Sequence, residues 1–223
     1  MFDFAQARRF MIEGQIRTNE VTEPGIVAAM AELERERFVP ASFRTVAYVD
    51  RDLPAAEAGQ PGAQRFLLSP MVLAKIVRSA DLASSDRVLH VGCTTGYGTA
   101  VIARLAGTVV ALEEDEALSR TAARNLSDLG FSNVSCVTGP LAAGWPAGGP
   151  YDVIIVEGAV EELPEALSGQ LKEDGRLVAI LGAGRTGRGT LFRRTPAGLS
   201  GFPLFDAAAP VLPGFAKAPA FQF

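Results

Sequence analysis

A glycine-containing turn at residues 90–97, with the sequence HVGCTTGY, is the first candidate for chemistry. It follows a short apolar run and leads into a helical pattern. Glycine lets the backbone turn tightly and approach a ligand, and the N-terminus of the following helix offers unpaired N–H groups. The spacing lacks the third glycine of dinucleotide-binding turns and the Gly-Lys-Ser/Thr of a P-loop. The turn therefore indicates either a ligand site or a purely structural tight turn.

Glu113, which ends the next apolar run about twenty residues further on, is the second candidate. A carboxylate in this place accepts hydrogen bonds from two ribose hydroxyls of a nucleoside. Alternatively, the acids at 113–116 only stabilise the N-terminus of a helix, where negative charge is favoured. Because the segment 90–97 has only one glycine pair to hold a phosphate and contains no lysine or arginine, a nucleoside without phosphates fits better than a dinucleotide. S-adenosylmethionine is such a ligand.

The composition of the 223-residue chain excludes several classes of protein. Hydrophobic residues make up 48% and charged residues 21%, a balance typical of globular proteins and not of disordered or fibrous ones. The formal net charge of −4 argues against non-specific binding to nucleic acid. The N-terminus has an acid, Asp3, where a signal peptide needs basic residues, and no apolar run reaches about 18 residues, so we predict a cytoplasmic protein without membrane contact.

Histidine and cysteine are too scarce for most metal centres. The single histidine, His90, and the two cysteines, Cys93 and Cys136, argue against a metal site and against a disulfide scaffold. We expect both thiols to pack as small hydrophobic groups.

Strand and helix patterns alternate between residues 86 and 182. The predicted strands are 87–91, 108–113, 134–137, 151–156 and 175–180, and the predicted helices are 97–105, 117–129 and 164–171. Such alternation predicts right-handed βαβ units, hence an α/β fold with a mostly parallel sheet covered by helices on both faces. Residues 189–194 form a further predicted strand, which fits a late antiparallel hairpin.

Helical spacing of apolar residues dominates the chain from Asp3 to about Phe38. Thr22 is the predicted N-cap of a helix that begins at Pro24, and the alternating charges at 32–37 are typical of a solvated helical face. Residues 41–65 predict an irregular connection, followed by a helix over 69–80. We therefore predict a helical segment at 1–80 and an α/β domain at 81–223.

Several of these segments resemble motifs of the protein-L-isoaspartate O-methyltransferase family. Residues 88–97, 109–113, 151–156 and 171–178 are similar to its four methyltransferase motifs. Residues 35–40, 47–54 and 139–146 are similar to more specific segments, which are peculiar to this family. The resemblance runs from about residue 5 to 205 and identifies the chain as a divergent member.

The resemblance implies a Rossmann-like class I methyltransferase fold, with a seven-stranded, mostly parallel sheet, an antiparallel last strand and a helical N-terminal segment. In this fold the segment 1–80 is expected to cover substrate and cofactor, and the domain 81–223 is expected to bind S-adenosylmethionine. It also implies transfer of a methyl group from S-adenosylmethionine to the free carboxylate of L-isoaspartyl residues in damaged proteins. The partner is then a peptide or protein substrate, and a monomer or dimer is expected. A carboxylate is already ionised at neutral pH, so this reaction needs no general base.

The resemblance carries cofactor binding onto positions around the turn and the ends of the neighbouring strands. These positions are His90, Gly92, Cys93, Thr94, Gly96, Tyr97, Glu113, Glu114, Gly139, Pro140, Leu141 and Glu157.

On the acceptor side, the sequence departs from the family pattern. Residues 66–70 (FLLSP) stand where the family has a Thr-Ile-Ser segment before proline, so the expected hydroxyl falls on Leu68. Ser69, one place later, is the candidate catalytic residue, unless it only caps the following helix.

Further departures lie on the cofactor side. His90 replaces an acid, Thr94 replaces a glycine, and Pro140 replaces an aspartate that pairs with the adenine amino group. Glu157, together with Glu161 and Glu162, adds negative charge at the end of the fourth strand. Two alternatives to isoaspartyl methylation follow: a methyltransferase with a different acceptor, or a catalytically silent member that acts as a binding or scaffold protein.

Overall fold

The computed structural model describes residues 2–182 and 186–217 and contains a seven-stranded sheet. The strands are β1 Leu53–Pro54, β2 Phe66–Leu67, β3 Arg87–Val91, β4 Thr108–Glu113, β5 Val134–Thr138, β6 Tyr151–Val160, β7 Leu171–Leu181, β8 Arg188–Thr195 and β9 Gly198–Asp206. The helices are α1 Phe4–Met11, α2 Pro24–Glu32, α3 Pro70–Ala80, α4 Tyr97–Ala103, α5 Glu116–Asp128 and α6 Glu165–Ser168. Strands β1 and β2 pair separately, as a small antiparallel ribbon.

The large sheet has the order β5-β4-β3-β6-β7-β8-β9. Strands β3 to β7 are parallel, whereas β8 is antiparallel to β7, and β9 is antiparallel to β8. The predicted mostly parallel sheet and late hairpin are confirmed. The antiparallel strand is β8, the last but one, because the tight turn after Thr195 reverses the chain once more.

The predicted bounds of β3 and β4 agree with the structure, but several other ends were wrong. Strand β6 continues to Val160, and β7 begins at Leu171, inside the predicted helix 164–171. The helical pattern there is confined to Glu165–Ser168, because pairing of Tyr151 with Leu171 already extends the sheet at that point.

The predicted N-terminal helical run is divided into shorter pieces. A π-helical turn, Ile12–Ile16, follows α1. The N-cap residue of α2 is Glu23 rather than the predicted Thr22, and its side chain makes no capping hydrogen bond. The prediction of a solvated helical face at 32–37 was wrong: α2 ends at Glu32, Arg35–Arg37 forms a 3₁₀ turn, and Arg35 is fully buried. The irregular connection 41–65 contains a 3₁₀ helix at Ala41–Val46 as well as β1.

Helices α3, α4 and α5 pack onto the sheet through apolar side chains. Val72, Leu73 and Ile76 on α3 belong to the same buried cluster as Val88 and Ile155 in the sheet. Side chains of the N-terminal segment join this cluster, namely Met11, Ile16, Met30, Leu33 and Phe38. None of the helices in the described parts of the chain has the length and apolar character needed to cross a membrane.

Arg35 anchors the N-terminal segment to the rest of the molecule. Its Nε donates to the carbonyl of Ala47 at 2.8 Å, and its Nη2 donates to the carbonyl of Leu68 at 2.7 Å. The guanidinium carbon lies 4.6 Å from the ring centroid of Tyr97 on α4. Burial lowers the pKa of this guanidinium, opposed by the nearby Tyr97 and Glu157. One buried cation thus fixes three separate parts of the chain.

We expect Arg35→Leu to lower the free energy of unfolding by about 2–4 kcal/mol, because two buried carbonyls lose their donors. Urea unfolding followed by circular dichroism measures the change. Arg9→Ala, at an exposed position of α1, is the control and should stay within about 0.5 kcal/mol of the unchanged chain. Equal losses in both variants would contradict an anchoring role for Arg35.

Candidate active site

The register of the central strands places the turn after β3 between two carboxylates. Val91 is paired with Leu112 on β4 and with Val156 on β6. The next residue on each strand therefore lies at the same edge, which brings Gly92 between Glu113 and Glu157. The carboxyl edge of a parallel sheet is where ligands bind in open α/β folds.

The turn itself is built from left-handed backbone. Gly92 and Gly96 have φ values of +83° and +97°, which glycine adopts without strain. Thr94 has a φ of +49°, an uncommon value for a residue branched at Cβ. Its N–H donates to Glu113 at 2.8 Å, and this bond offsets the strain of that conformation.

Glu113 is fully buried and its carboxylate is surrounded by donors. Backbone N–H groups of Thr94, Glu114 and Asp115 donate to it at 2.8, 2.9 and 3.2 Å. Both terminal nitrogens of Arg65 also reach it, at 3.0 and 3.2 Å. Glu113 is therefore not merely an acid that stabilises the N-terminus of α5, because Asp115 is the residue whose side chain caps that helix.

The loop after β5 lies next to Glu113. The N–H of Gly139 donates to the carbonyl of Glu113 at 3.1 Å, which places residues 139–141 at this edge. Pro140 has no N–H to offer a ligand, and Leu141 is fully buried in the core. Glu114 lines a cavity of about 350 Å³ beside Glu113, together with Gln60, Gly62, Ala63, Gln64, Arg65, Asp115 and Pro213.

His90 and Glu157 form a contact in the interior. His90 Nε2 lies 2.9 Å from Glu157 Oε2, and His90 Nδ1 lies 2.8 Å from the hydroxyl of Thr99. The imidazole is fully rather than partly buried. Of the three glutamates that follow β6 in the prediction, only Glu157 is buried, whereas the carboxylate of Glu161 accepts from the N–H of Lys217.

Leu68 and Ser69 are the positions that the sequence analysis assigns to the acceptor side. The Leu68 side chain is 1% exposed and packs in the core, so it offers nothing to a ligand. Ser69 lies at the start of α3, where its side chain makes no capping hydrogen bond, which rules out the capping alternative. Its N–H donates to Asp52 at 2.8 Å. Burial raises the pKa of Asp52, opposed by this N–H and by Arg35.

Tyr97 opens α4 below the N-terminal segment. Its ring is fully buried and lies edge-on to Phe38 at a centroid distance of 5.5 Å, and among residues 2–182 and 186–217 its hydroxyl has no hydrogen-bond partner. Burial raises the pKa of this hydroxyl, so it remains protonated. The structure thus places Tyr97, a predicted cofactor-binding residue, against Arg35 and Phe38.

Comparison with known proteins identifies the group to which this arrangement belongs. The family model described as protein-L-isoaspartate(D-aspartate) O-methyltransferase matches residues 6–198. A protein-L-isoaspartate O-methyltransferase of Rhodopseudomonas palustris is 38% identical over 173 residues, which cover 78% of this chain and 77% of the relative. One of Methylorubrum extorquens is 37% identical over 204 residues, covering 92% and 86%. The chain belongs to the protein-L-isoaspartate O-methyltransferase family.

Solved structures agree with this membership. One protein-L-isoaspartate O-methyltransferase superposes with a TM-score of 0.80 at 29% identity and covers 93% of this chain and 66% of its own. A Plasmodium falciparum beta-aspartate methyltransferase in complex with S-adenosyl-L-homocysteine gives a TM-score of 0.74 at 18% identity, covering 92% and 97%, which shows the shared fold. The resemblance, the Rossmann-like methyltransferase fold and the assignment to an enzyme family are confirmed.

Sequence reasoning missed four residues of this region: Arg35, Asp52, Arg65 and Leu212. Arg35 carried a misleading signal, since its charged neighbours favoured a solvated position. Arg65 lies in a connection without apolar periodicity, and Leu212 lies in a segment rich in glycine and proline. Neither position has a sequence pattern that predicts contact with the turn at Gly92.

Both thiols are free and packed, as predicted. Cys93 is fully buried, and burial raises the pKa of its thiol well above the usual value. Cys136 is partly buried, and burial raises its pKa to about 11. Neither thiol is a nucleophile at neutral pH, because only the thiolate reacts.

We expect alkylation of Cys136 in the native protein to be slow at pH 8 and to accelerate about tenfold per pH unit up to pH 11, since the reactive thiolate increases in that proportion. Iodoacetamide labelling followed by mass spectrometry measures the rate. Urea-unfolded protein is the control, in which both cysteines should react at the rate of an ordinary thiol. A plateau below pH 9 in the native protein would contradict the elevated pKa.

Gly98 on α4 allows the contact between His90 and Glu157. A Cβ at this position would lie 2.0 Å from Glu157 Oε2 and 3.1 Å from His90 Cε1. We expect Gly98→Ala to lower the free energy of unfolding by about 1–3 kcal/mol, because the glutamate must move. In combination with Glu157→Ala, the loss should be smaller than the sum of the two single losses, as thermal unfolding of all three variants can measure. Strict additivity would show that the alanine and the glutamate do not collide.

Proposed function

We propose that this chain is an S-adenosylmethionine-dependent methyltransferase that methylates the free carboxylate of L-isoaspartyl residues in damaged proteins. The observation that carries the proposal is the left-handed turn at Gly92 beside the buried carboxylate of Glu113, in a chain that matches the family over residues 6–198. The names of its relatives support the acceptor.

The residues present fit an adenosyl cofactor. Gly92 has no Cβ on the face that approaches the crevice, Glu113 supplies a carboxylate for ribose hydroxyls, and a cavity of about 350 Å³ adjoins Glu114. The ends of the Arg65 and Leu212 side chains face Gly92. A Cβ added to Gly92 would lie 3.1 Å from Arg65 Nη2 and 3.3 Å from Leu212 Cδ1. Both side chains can move without a change in the backbone.

The chain's own groups bind and orient. When bound, the cofactor supplies a methyl group on a sulfonium. Glu113 would accept from the ribose hydroxyls, and the backbone of Gly92 and Gly139 would lie close to the nucleoside. Because Pro140 has no N–H and the Leu141 side chain is apolar, this loop would hold the adenine through its shape and its carbonyl groups. Positioning of this kind can supply about 7–11 kcal/mol of the barrier in favourable cases.

On the acceptor side, the Ser69 hydroxyl donates to the substrate carboxylate. Arg35 and Asp52 do not need to touch substrate: they hold the backbone of Leu68 and Ser69 in place from either side. The acceptor carboxylate is ionised at neutral pH, so no residue has to remove a proton.

The wider setting is proposed from the family resemblance together with charge and composition. The segment 1–80 covers substrate and cofactor, while 81–223 binds the cofactor. The partner is a peptide or protein substrate, in the cytoplasm and without nucleic acid, and the chain acts as a monomer or dimer.

Methyl transfer from labelled S-adenosylmethionine to an isoaspartyl peptide tests the proposal, with the same peptide carrying aspartate as the control. We expect label only in the isoaspartyl peptide, and its loss on mild alkaline treatment as for a methyl ester. No label at saturating peptide, although S-adenosylhomocysteine binds, would reject the acceptor and leave cofactor dependence intact.

We expect Ser69→Ala to lower kcat/KM for the isoaspartyl peptide about tenfold, since one hydrogen bond to a charged carboxylate is lost, while the Kd for S-adenosylhomocysteine stays unchanged. Ser79→Ala on the helix that follows Ser69, where the hydroxyl donates to the backbone carbonyl of Lys75, is the matched control and should leave both values unchanged. Full activity in Ser69→Ala would remove Ser69 from the acceptor site.

A different acceptor is the second candidate function. The Leu68 side chain favours this second candidate, because a buried leucine stands where the resemblance expects a hydroxyl. Cofactor binding, absence of isoaspartyl turnover and labelling of another carboxylate or hydroxyl compound would together support it.

A further inference from the structure

Arg65 occupies the place on Glu113 where a ribose must bind. Its two terminal nitrogens lie 3.0 Å from Oε1 and 3.2 Å from Oε2 of the carboxylate, which is a two-pronged ion pair. The side chains are 8% and 0% exposed, so water screens the pair poorly. With three backbone N–H groups also bound, Glu113 has no oxygen lone pair to spare for a ligand hydroxyl.

Leu212 fills the neighbouring part of the same crevice. A Cβ added to Gly92 would lie 3.3 Å from Leu212 Cδ1, and one added to Gly158 would lie 2.5 Å from its Cδ2. Both glycines thus border the leucine side chain, one after β3 and one in β6. Arg65 and Leu212 lie against the same face of Gly92.

The segment 210–217 holds Leu212 in position. The N–H of Ala159 donates to Pro210, the N–H of Leu212 donates back to Ala159, and Val211 bridges Ala159 in parallel. Further along, the N–H of Glu161 donates to the carbonyl of Phe215, whose ring is buried in the core. The leucine is therefore part of an ordered extension of the sheet edge.

We propose that Arg65 determines the cofactor affinity of this chain by competing with the ribose for Glu113, with Leu212 as its steric partner in the crevice. The inference rests on the proposed use of S-adenosylmethionine. Binding requires Arg65 to leave Glu113, and the cavity beside Gln64 and Glu114 gives the guanidinium a route to solvent.

Competition of this kind weakens the observed affinity by a calculable factor. The apparent Kd equals the intrinsic Kd divided by the fraction of molecules whose site is open. A chain that is open one-tenth of the time therefore binds about tenfold more weakly than one that is always open. Removing the guanidinium raises the open fraction without adding a contact to the nucleoside.

Calorimetry with S-adenosylhomocysteine tests the proposal on the full chain. We expect Arg65→Gln to bind about tenfold more tightly than the unchanged chain, and Leu212→Ala to bind several-fold more tightly. The combination of Arg65→Gln with Glu113→Ala should lose the gain, because the ribose then has no carboxylate. Without ligand, Arg65→Gln should melt at a lower temperature, and its rise in Tm on adding S-adenosylhomocysteine should be larger.

Arg176→Gln is the matched control. Arg176 pairs with Asp86 at 2.7 Å in a similarly shielded position, near the start of β3 and so at the opposite end of the strands. We expect this variant to lose thermal stability while its Kd for S-adenosylhomocysteine stays unchanged.

Two results would overturn the proposal. An unchanged or weaker affinity in Arg65→Gln would mean that Arg65 does not compete or that it contacts the nucleoside itself. Failure of both the unchanged chain and Arg65→Gln to bind at millimolar concentration would show that another feature excludes the nucleoside. The measurement needs no acceptor, so failure of isoaspartyl methylation leaves its outcome readable.

Discussion

The alignment of β3 with its two neighbours is the constraint on which the site depends. One register pairs Val91 with Leu112, and another pairs it with Val156. Since side chains alternate between the faces of a sheet, a shift by one residue would turn each neighbouring carboxylate to the opposite face. Buried apolar residues on β3, β4 and β6 resist such a shift, so the hydrophobic core fixes the chemistry at its edge.

Much of the sheet follows from sequence because each strand is short, apolar and separated from the next by a helical pattern. The limits of β3 and β4 and the proximity of Glu113 to the turn could be predicted in this way. The end of β6 could not, because Glu157 and Gly158 interrupt the apolar run, and pairing with β7 resumes at Ala159 and Val160 only after a register shift. Pairing between residues about twenty apart has no local signal.

Charged residues gave the least reliable predictions. Arg35 belongs to a run of alternating charges, yet it is buried because two carbonyls and an aromatic ring offset its desolvation. Glu157 resembles its neighbours Glu161 and Glu162 in sequence but alone contacts His90 in the interior. Only tertiary structure distinguishes these cases, since burial of a charge depends on partners distant in sequence.

Residues 210–217, which border the crevice, are synthesised after the strands that form its walls. Strands β3, β4 and β6, which form the walls, leave the ribosome well before Leu212 and Phe215. A nascent chain can therefore complete its parallel sheet while the edge near Gly158 is still uncovered. The order of translation therefore separates formation of the sheet from the packing of residues 210–217 against its edge. That packing depends on residues that contribute little to the sheet itself.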